Sequence, residues 1–169
     1  ITSRNRYAVK TVFKTYLNFQ EFEMSENLDK FINHSGAKFS YSSQSNDTGV
    51  HFAASGILEQ RGIKEENPST GEYNGIITLF TTNQKAALPF DPFAAIFYML
   101  TRYEEYLPHL RDNYDRFTAK ESLAKKENFL HLAVVDRWVN DVKEAILSVY
   151  ADIKFPERKY SFVSTIVRY

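Results

Sequence analysis

The sequence predicts an α/β fold: a single domain in which a mixed β-sheet packs against amphipathic α-helices. Apolar residues recur at three- and four-residue steps in some segments and alternate at two-residue steps in others, the periods of helix and strand respectively. The chain of 169 residues is also of one-domain size, and its 43% hydrophobic and 15% aromatic content supplies one core of large side chains.

From Arg6 to Leu17, the residues Val9, Val12, Phe13, Tyr16 and Leu17 share one helical face. Phe19 to Met24 alternates Phe22 and Met24 with Glu21 and Glu23, the pattern of a half-buried strand. Ser25 suits the cap of a short turn bearing Leu28, Phe31 and Ile32, which Gly36 ends. Ala37 to Ser42 and Val50 to Ala54 alternate again, and the polar run Ser42 to Gly49 between them suggests a hairpin. Lys64 to Gly71 has loop composition and leads into a short apolar strand, Ile76 to Phe80.

The sharpest local signal is Leu88-Pro-Phe-Asp-Pro-Phe93. Asp91 is placed as an N-cap and Pro92 at the first helical position, where a missing N–H costs nothing. Phe93, Ile96, Phe97, Leu100, Tyr103 and Leu107 then line one side as far as the stop at Pro108. His109 to Phe129 reads as loop with a short helix at Lys120 to Lys126. The longest helix carries Val135, Trp138, Val139, Val142, Ala145, Ile146 and Val149 on its buried side, and Tyr160 to Ile166 is a last strand candidate. Residues 1–87 are thus the sheet-rich part, 88–158 the helical part and 159–169 the final strand. The sheet is expected from the segments near Phe22, Phe39, Phe52, Leu79 and Phe162.

Charge narrows the function. Lys plus Arg and Asp plus Glu both number 21, so no net field favours a phosphate backbone, and nucleic acid is not an expected partner. With no Cys, neither disulfides nor thiolate metal sites exist. The apolar stretches are shorter, or more interrupted by charge, than the about 20 residues that a membrane-spanning helix needs. The chain opens at Ile1 without a basic-then-apolar leader, so a cytoplasmic location is the expectation.

Three pieces together, Leu88-Pro-Phe-Asp-Pro-Phe-Ala-Ala-Ile-Phe-Tyr98 through Arg102-Tyr-Glu-Glu-Tyr-Leu-Pro108, Asp115-Arg-Phe-Thr-Ala119 with Glu121-Ser-Leu-Ala124, and Val134-Val-Asp-Arg-Trp138, resemble the non-catalytic segment that precedes the catalytic barrel in bacterial polysaccharide-deacetylase-like proteins. The resemblance covers roughly residues 7–166. It implies an accessory domain that packs against or positions a deacetylase catalytic domain of a longer chain, in surface-polysaccharide metabolism, with a glycan as a further possible partner. In that family a Thr-Ile-Asp-Ile-Asp strand then supplies aspartates for a metal. Here the corresponding stretch is Thr165-Ile-Val-Arg-Tyr169, so deacetylase activity is not carried over and no catalytic residue, metal site or cofactor is expected in this chain.

Two readings of the charged cluster remain open. Arg102, Glu104 and Glu105 beside Tyr103 and Tyr106, with Arg116 and Trp138, are candidate sugar-binding residues. Alternatively, Arg102 and the two glutamates tie their helix to the Asp112–Arg116 loop by ion pairs. Asp91 and Asp136 are expected to serve helix N-termini, and Asp115 its loop. The four histidines, His34, His51, His109 and His131, fall in separate segments, and no Gly-rich phosphate loop or nucleophile elbow is present. An independent enzyme would need two or more of Asp91, Glu104, Asp115, Asp136 and Arg116 to converge.

Overall fold

The chain enters its first helix through a capping box: Thr2 Oγ1 accepts the Asn5 N–H at 3.1 Å while Asn5 Oδ1 accepts the Thr2 N–H at 2.9 Å. In the computed structural model, which describes residues 1–45, 48–157 and 161–165, this helix (α1, Ser3–Lys10) runs straight into a π-helical segment, Thr11–Tyr16. Leu17 donates its N–H to Val12 O at 2.9 Å, the wider π spacing, and Val9, Val12, Phe13 and Leu17 remain buried on one side.

The segment after it keeps the expected alternation without becoming a strand. Phe22 and Met24 are half-buried and Glu21 and Glu23 exposed, yet no backbone ladder forms there. Alternation specifies a buried face, whereas a strand also needs a neighbour. Phe22 instead packs on Phe13, with ring centroids 5.5 Å apart. The next helix (α2, Leu28–Asn33) is capped by Asn27, whose side chain accepts the Lys30 N–H at 2.9 Å, while Ser25 serves only the Asn27 N–H. Leu28 and Ile32 are exposed, so this short helix buries little beyond Phe31.

Two strand pairs come next. β1 (Phe39–Ser42) and β2 (Val50–Ala53) run parallel, with Phe39 opposite Val50 and Tyr41 opposite Phe52. The expected hairpin is therefore corrected. The polar run between these strands returns the chain to the starting end of β1, so the second strand repeats the direction of the first. β3 (Thr70–Tyr73) and β4 (Ile76–Leu79) form the true hairpin, and Thr70 and Gly71, expected in a loop, open it. Its turn is Asn74-Gly75, with φ of 52° and 73°, the doubly left-handed two-residue turn whose twist matches the strands. Residues 161–165 carry no regular structure, and Tyr160 and Ile166 of the expected last strand lie outside the described residues. Among the described residues, a parallel ribbon and an antiparallel ribbon stand in place of one five-segment sheet.

These ribbons are held by two helices. α3 (Pro92–Leu100) is buried along Pro92 to Tyr98 and touches α1, β4 and the long α5 (Val134–Leu147). α5 presents Val135, Trp138, Val139, Val142 and Ile146 to the core, as its periodicity predicts, but the helix ends at Leu147, so Val149, expected on the buried side, lies beyond it and is exposed. Trp138 is 0% exposed, and its Nε1–H donates to Ile77 O at 2.9 Å, which pins the hairpin to α5. Phe93 gathers Phe39, Tyr41 and Phe52 of the parallel ribbon at centroid distances of 5.3 to 5.8 Å. Each such ring withdrawn from water contributes about 1.5–3 kcal/mol.

Asp91 caps α3 as its sequence position predicts. Its Oδ1 accepts the Ala94 N–H at 2.9 Å, and its Oδ2 accepts both the Tyr41 hydroxyl and the Ser55 N–H at 2.7 Å. The carboxyl is 1% exposed, and burial pushes its pKa up against the pull of those donors. In Asp91→Asn, an amide N–H₂ must face one of the two backbone N–H donors, which leaves a buried donor unsatisfied. Urea unfolding should show a loss of about 1–3 kcal/mol.

His51 on β2 supplies a pH handle. Its Nδ1 shares a 2.9 Å hydrogen bond with Ser40 Oγ, and its buried Nε2 has no partner among the described residues. Burial lowers its pKa from the ordinary 6.5, so the folded chain takes up this proton less readily than the unfolded one. Stability contributed by neutral His51 is present above about pH 6.5 and is lost as pH falls below it. Thermal melts across that range should slope more steeply for the wild type than for His51→Asn, and parallel slopes would refute the assignment.

Candidate functional site

The site begins where α3 stops. Thr101 Oγ1 donates back to Phe97 O at 2.7 Å, and Arg102 takes a left-handed conformation, with φ of 53°. A non-glycine residue there costs roughly 1–2 kcal/mol, so contacts made by the next residues of the chain must hold the break in place. Tyr103–Tyr106 then forms a 3₁₀ turn instead of the continued helix that the spacing to Leu107 predicts. Tyr103 anchors it: the buried ring packs on Tyr98 and Phe97, and its hydroxyl donates to Lys64 O and accepts the Lys64 N–H, both at 2.9 Å.

The turn sends the two glutamates in different directions. Glu105 pairs with the Arg102 guanidinium. Glu104 reaches across to the next short helix (α4, Leu123–Lys126), where its Oε2 accepts the Leu123 N–H at 2.8 Å. Ser122 caps the same helix from its own end, accepting the Lys125 N–H at 3.1 Å. Burial pushes the Glu104 carboxyl above the usual glutamate value, partly opposed by the Leu123 hydrogen bond and the charge of Lys126. The expected ion pairs from Arg102 and the glutamates to the Asp112–Arg116 loop do not form.

That loop closes on itself. Asp112 Oδ1 accepts the N–H groups of Tyr114 and Arg116 at 2.8 and 3.0 Å, and its Oδ2 lies 2.8 Å from Arg116 Nη2. The Arg116 hydrogen bonds hold the Asp112 carboxyl below its ordinary value. Asp115, at φ 61°, pairs with Arg111 at 2.9 Å. Arg116 is therefore a loop clasp, stacked 4.8 Å from the Tyr114 ring centroid.

Between the end of α3 and α4 lies an open groove of about 290 Å³. Arg102, Glu104 and Glu105 rim it, Ser122 joins them, and Met99, Phe117 and Leu130 give it apolar walls. Tyr98 also lines it. Among the candidate residues, the structure brings together Arg102, Glu104 and Glu105 there. Tyr103 and Trp138 are buried with their polar atoms bonded to backbone and offer no stacking face, and Tyr106 is exposed. Asp136 stands in the first turn of α5, as expected. Asp91, Glu104, Asp115 and Arg116 each close on a different partner. Among the described residues no group of three or more histidine or acidic side chains is placed to hold a metal ion, and no helix is long and apolar enough to cross a membrane.

Sequence reasoning passed over Tyr98 and Leu130. Tyr98 is the one hydroxyl-bearing residue within Pro92–Leu100, an otherwise apolar helix, and that polar exception was its signal.

The fold and groove define a small α/β domain. The chain belongs to a family of unknown function, DUF7033, whose profile matches residues 1–151 and so takes in every element from α1 to α5. Neither the curated proteins nor the solved structures contain a match.

Removing the Glu104 carboxylate should loosen α4 against α3. Glu104→Ala leaves the Leu123 N–H without its acceptor and is expected to cost about 1–3 kcal/mol. Amide hydrogen exchange should quicken first over residues 122–129, and unchanged protection there would contradict the role.

Proposed function

We propose that this chain is a non-catalytic accessory domain that packs against and positions the catalytic domain of a polysaccharide-deacetylase-like protein in surface-polysaccharide metabolism. The observation that carries the reading is the deployment of its polar groups. The carboxylates that hydrolysis would need are spent separately, on the N-terminus of α3, on Leu123 and on the Asp112–Arg116 loop. The strings from Leu88 to Trp138 that resemble the deacetylase-associated segment build this scaffold rather than a reaction centre.

Large apolar side chains without cover support a packing role. Phe162 and Val163 are 78% and 80% exposed, and Tyr106, Leu110, Tyr114 and Leu130 also face solvent. Such side chains gain free energy when a partner covers them. The carbohydrate-binding alternative keeps Tyr106 but loses two of its three stacking platforms, Tyr103 and Trp138, to the core.

The test mixes the purified chain with a deacetylase catalytic domain from the same organism. The expected result is a complex by sedimentation velocity, a higher Tm for the catalytic domain, and no acetate release from an N-acetylated oligosaccharide by the chain alone. Acetate release by the chain alone, or two components that sediment independently with unchanged Tm, would overturn the reading.

A further inference from the structure

We propose that the groove between the end of α3 and α4 receives a lysine or arginine side chain of a partner protein, its alkyl stem on Met99, Phe117 and Leu130 and its cationic head at Tyr98 and Glu104. Two independent features of the groove point to such an occupant.

The first is the charge left over. Glu105 is already neutralised by Arg102. Glu104 is half-buried, and its one hydrogen bond, at Oε2, comes from a neutral backbone N–H. Among the described residues no cation stands within ion-pair distance of it; Lys126, the nearest in effect, has its ammonium 4.0 Å from Glu121 instead. Glu104 is therefore the carboxylate rimming the groove that has no ion-pair partner among the described residues, a place suited to one cation.

The second is Tyr98. Only 4% of this residue is exposed, its ring is wedged against Phe80 and Tyr103, and yet its hydroxyl makes no hydrogen bond among the described residues. Burial first, and then the Glu104 charge, push the phenol up. The ring is buried, but the hydroxyl opens onto the groove that Tyr98 lines, where it can meet an incoming donor. An ammonium or guanidinium carries several donors and a charge opposite to that of Glu104, which suits a groove lined by both this carboxylate and the Tyr98 phenol. A free hydroxyl ligand such as a sugar leaves the Glu104 charge unmatched, and an anion is repelled by it. The apolar walls favour a cation carried on a hydrocarbon stem over a bare ion.

The proposal does not require the partner to be a deacetylase domain, so it survives or fails separately from the accessory role. The test is titration of the ¹⁵N-labelled chain with Nα-acetyl-lysine N-methylamide, followed through the Leu123 and Ala124 amide resonances, with the norleucine analogue and N-acetylglucosamine as comparison ligands. Saturable shifts with the lysine probe are expected, with binding at least about tenfold weaker for norleucine, lost in Glu104→Gln and several-fold weaker in Tyr98→Phe. Because the Tyr98 hydroxyl has no partner to lose, that second variant should fold normally and decides the matter if Glu104→Gln does not. Equal binding of norleucine, shifts with the sugar alone, no saturable shift, or unchanged affinity in the variants would overturn the proposal.

Discussion

A buried carboxylate at the start of α3 holds the two halves of this domain in register. Asp91 receives a hydroxyl from β1, a backbone N–H from the chain just after β2 and another from its own helix, all between 2.7 and 2.9 Å. Burying an unpaired carboxylate is costly, so the group is tolerable only when those donors stay in place. This makes the position of the parallel ribbon and the entry of α3 a single condition. Tyr41 cannot leave without stranding Asp91, and Phe93, two residues into the helix side of the clasp, is the ring on which Phe39, Tyr41 and Phe52 converge. The remaining layers, α1 on one side and α5 with the antiparallel hairpin on another, then pack on a helix whose place is already set.

The legibility of the sequence depends on which constraints are local. Asp91-Pro92 could be read because a cap and a first-turn proline act within four residues, and α5 because its apolar stripe repeats over the whole of Val134–Leu147. The pairing of strands was not readable from alternation. Phe22 and Met24 alternate as faithfully as Phe39 and Tyr41, and only the second pair has a neighbour to bond with. The antiparallel hairpin did carry a local signal in Asn74-Gly75, which the loop-like composition upstream obscured. Direction in the parallel pair depends on the path of its connection and has no signature in either strand.

The same division runs through the candidate site. Arg102, Glu104 and Glu105 were visible as a charged cluster because they are neighbours in sequence, and they do rim one groove. Their partners were not visible. Glu104 finds Leu123 across 19 positions and Tyr103 finds Lys64 across 39, contacts that no periodicity encodes. Trp138 was attractive as a platform because tryptophan is common at binding surfaces, but it also lies on the apolar stripe of its helix, and the stripe determines its place.

The groove owes its existence to the point at which the helical pattern is disobeyed. Were α3 to continue to Leu107, as its apolar spacing invites, Glu104 would project from a regular helix about 100° from Glu105 and neither α4 nor Tyr98 would be its evident neighbour. The left-handed Arg102 turns the chain instead. Tyr103 then drives its ring between Tyr98 and Phe97 and locks the turn onto Lys64. That burial and the two hydrogen bonds offset the local strain of roughly 1–2 kcal/mol at Arg102. Strain of this kind persists where the surrounding contacts over-determine it, and here they fix Glu104 against the N-terminus of α4 while leaving the Tyr98 hydroxyl unused. The break that commits Tyr103 to Lys64 and Glu104 to Leu123 is thus the same one that opens the groove Tyr98 lines.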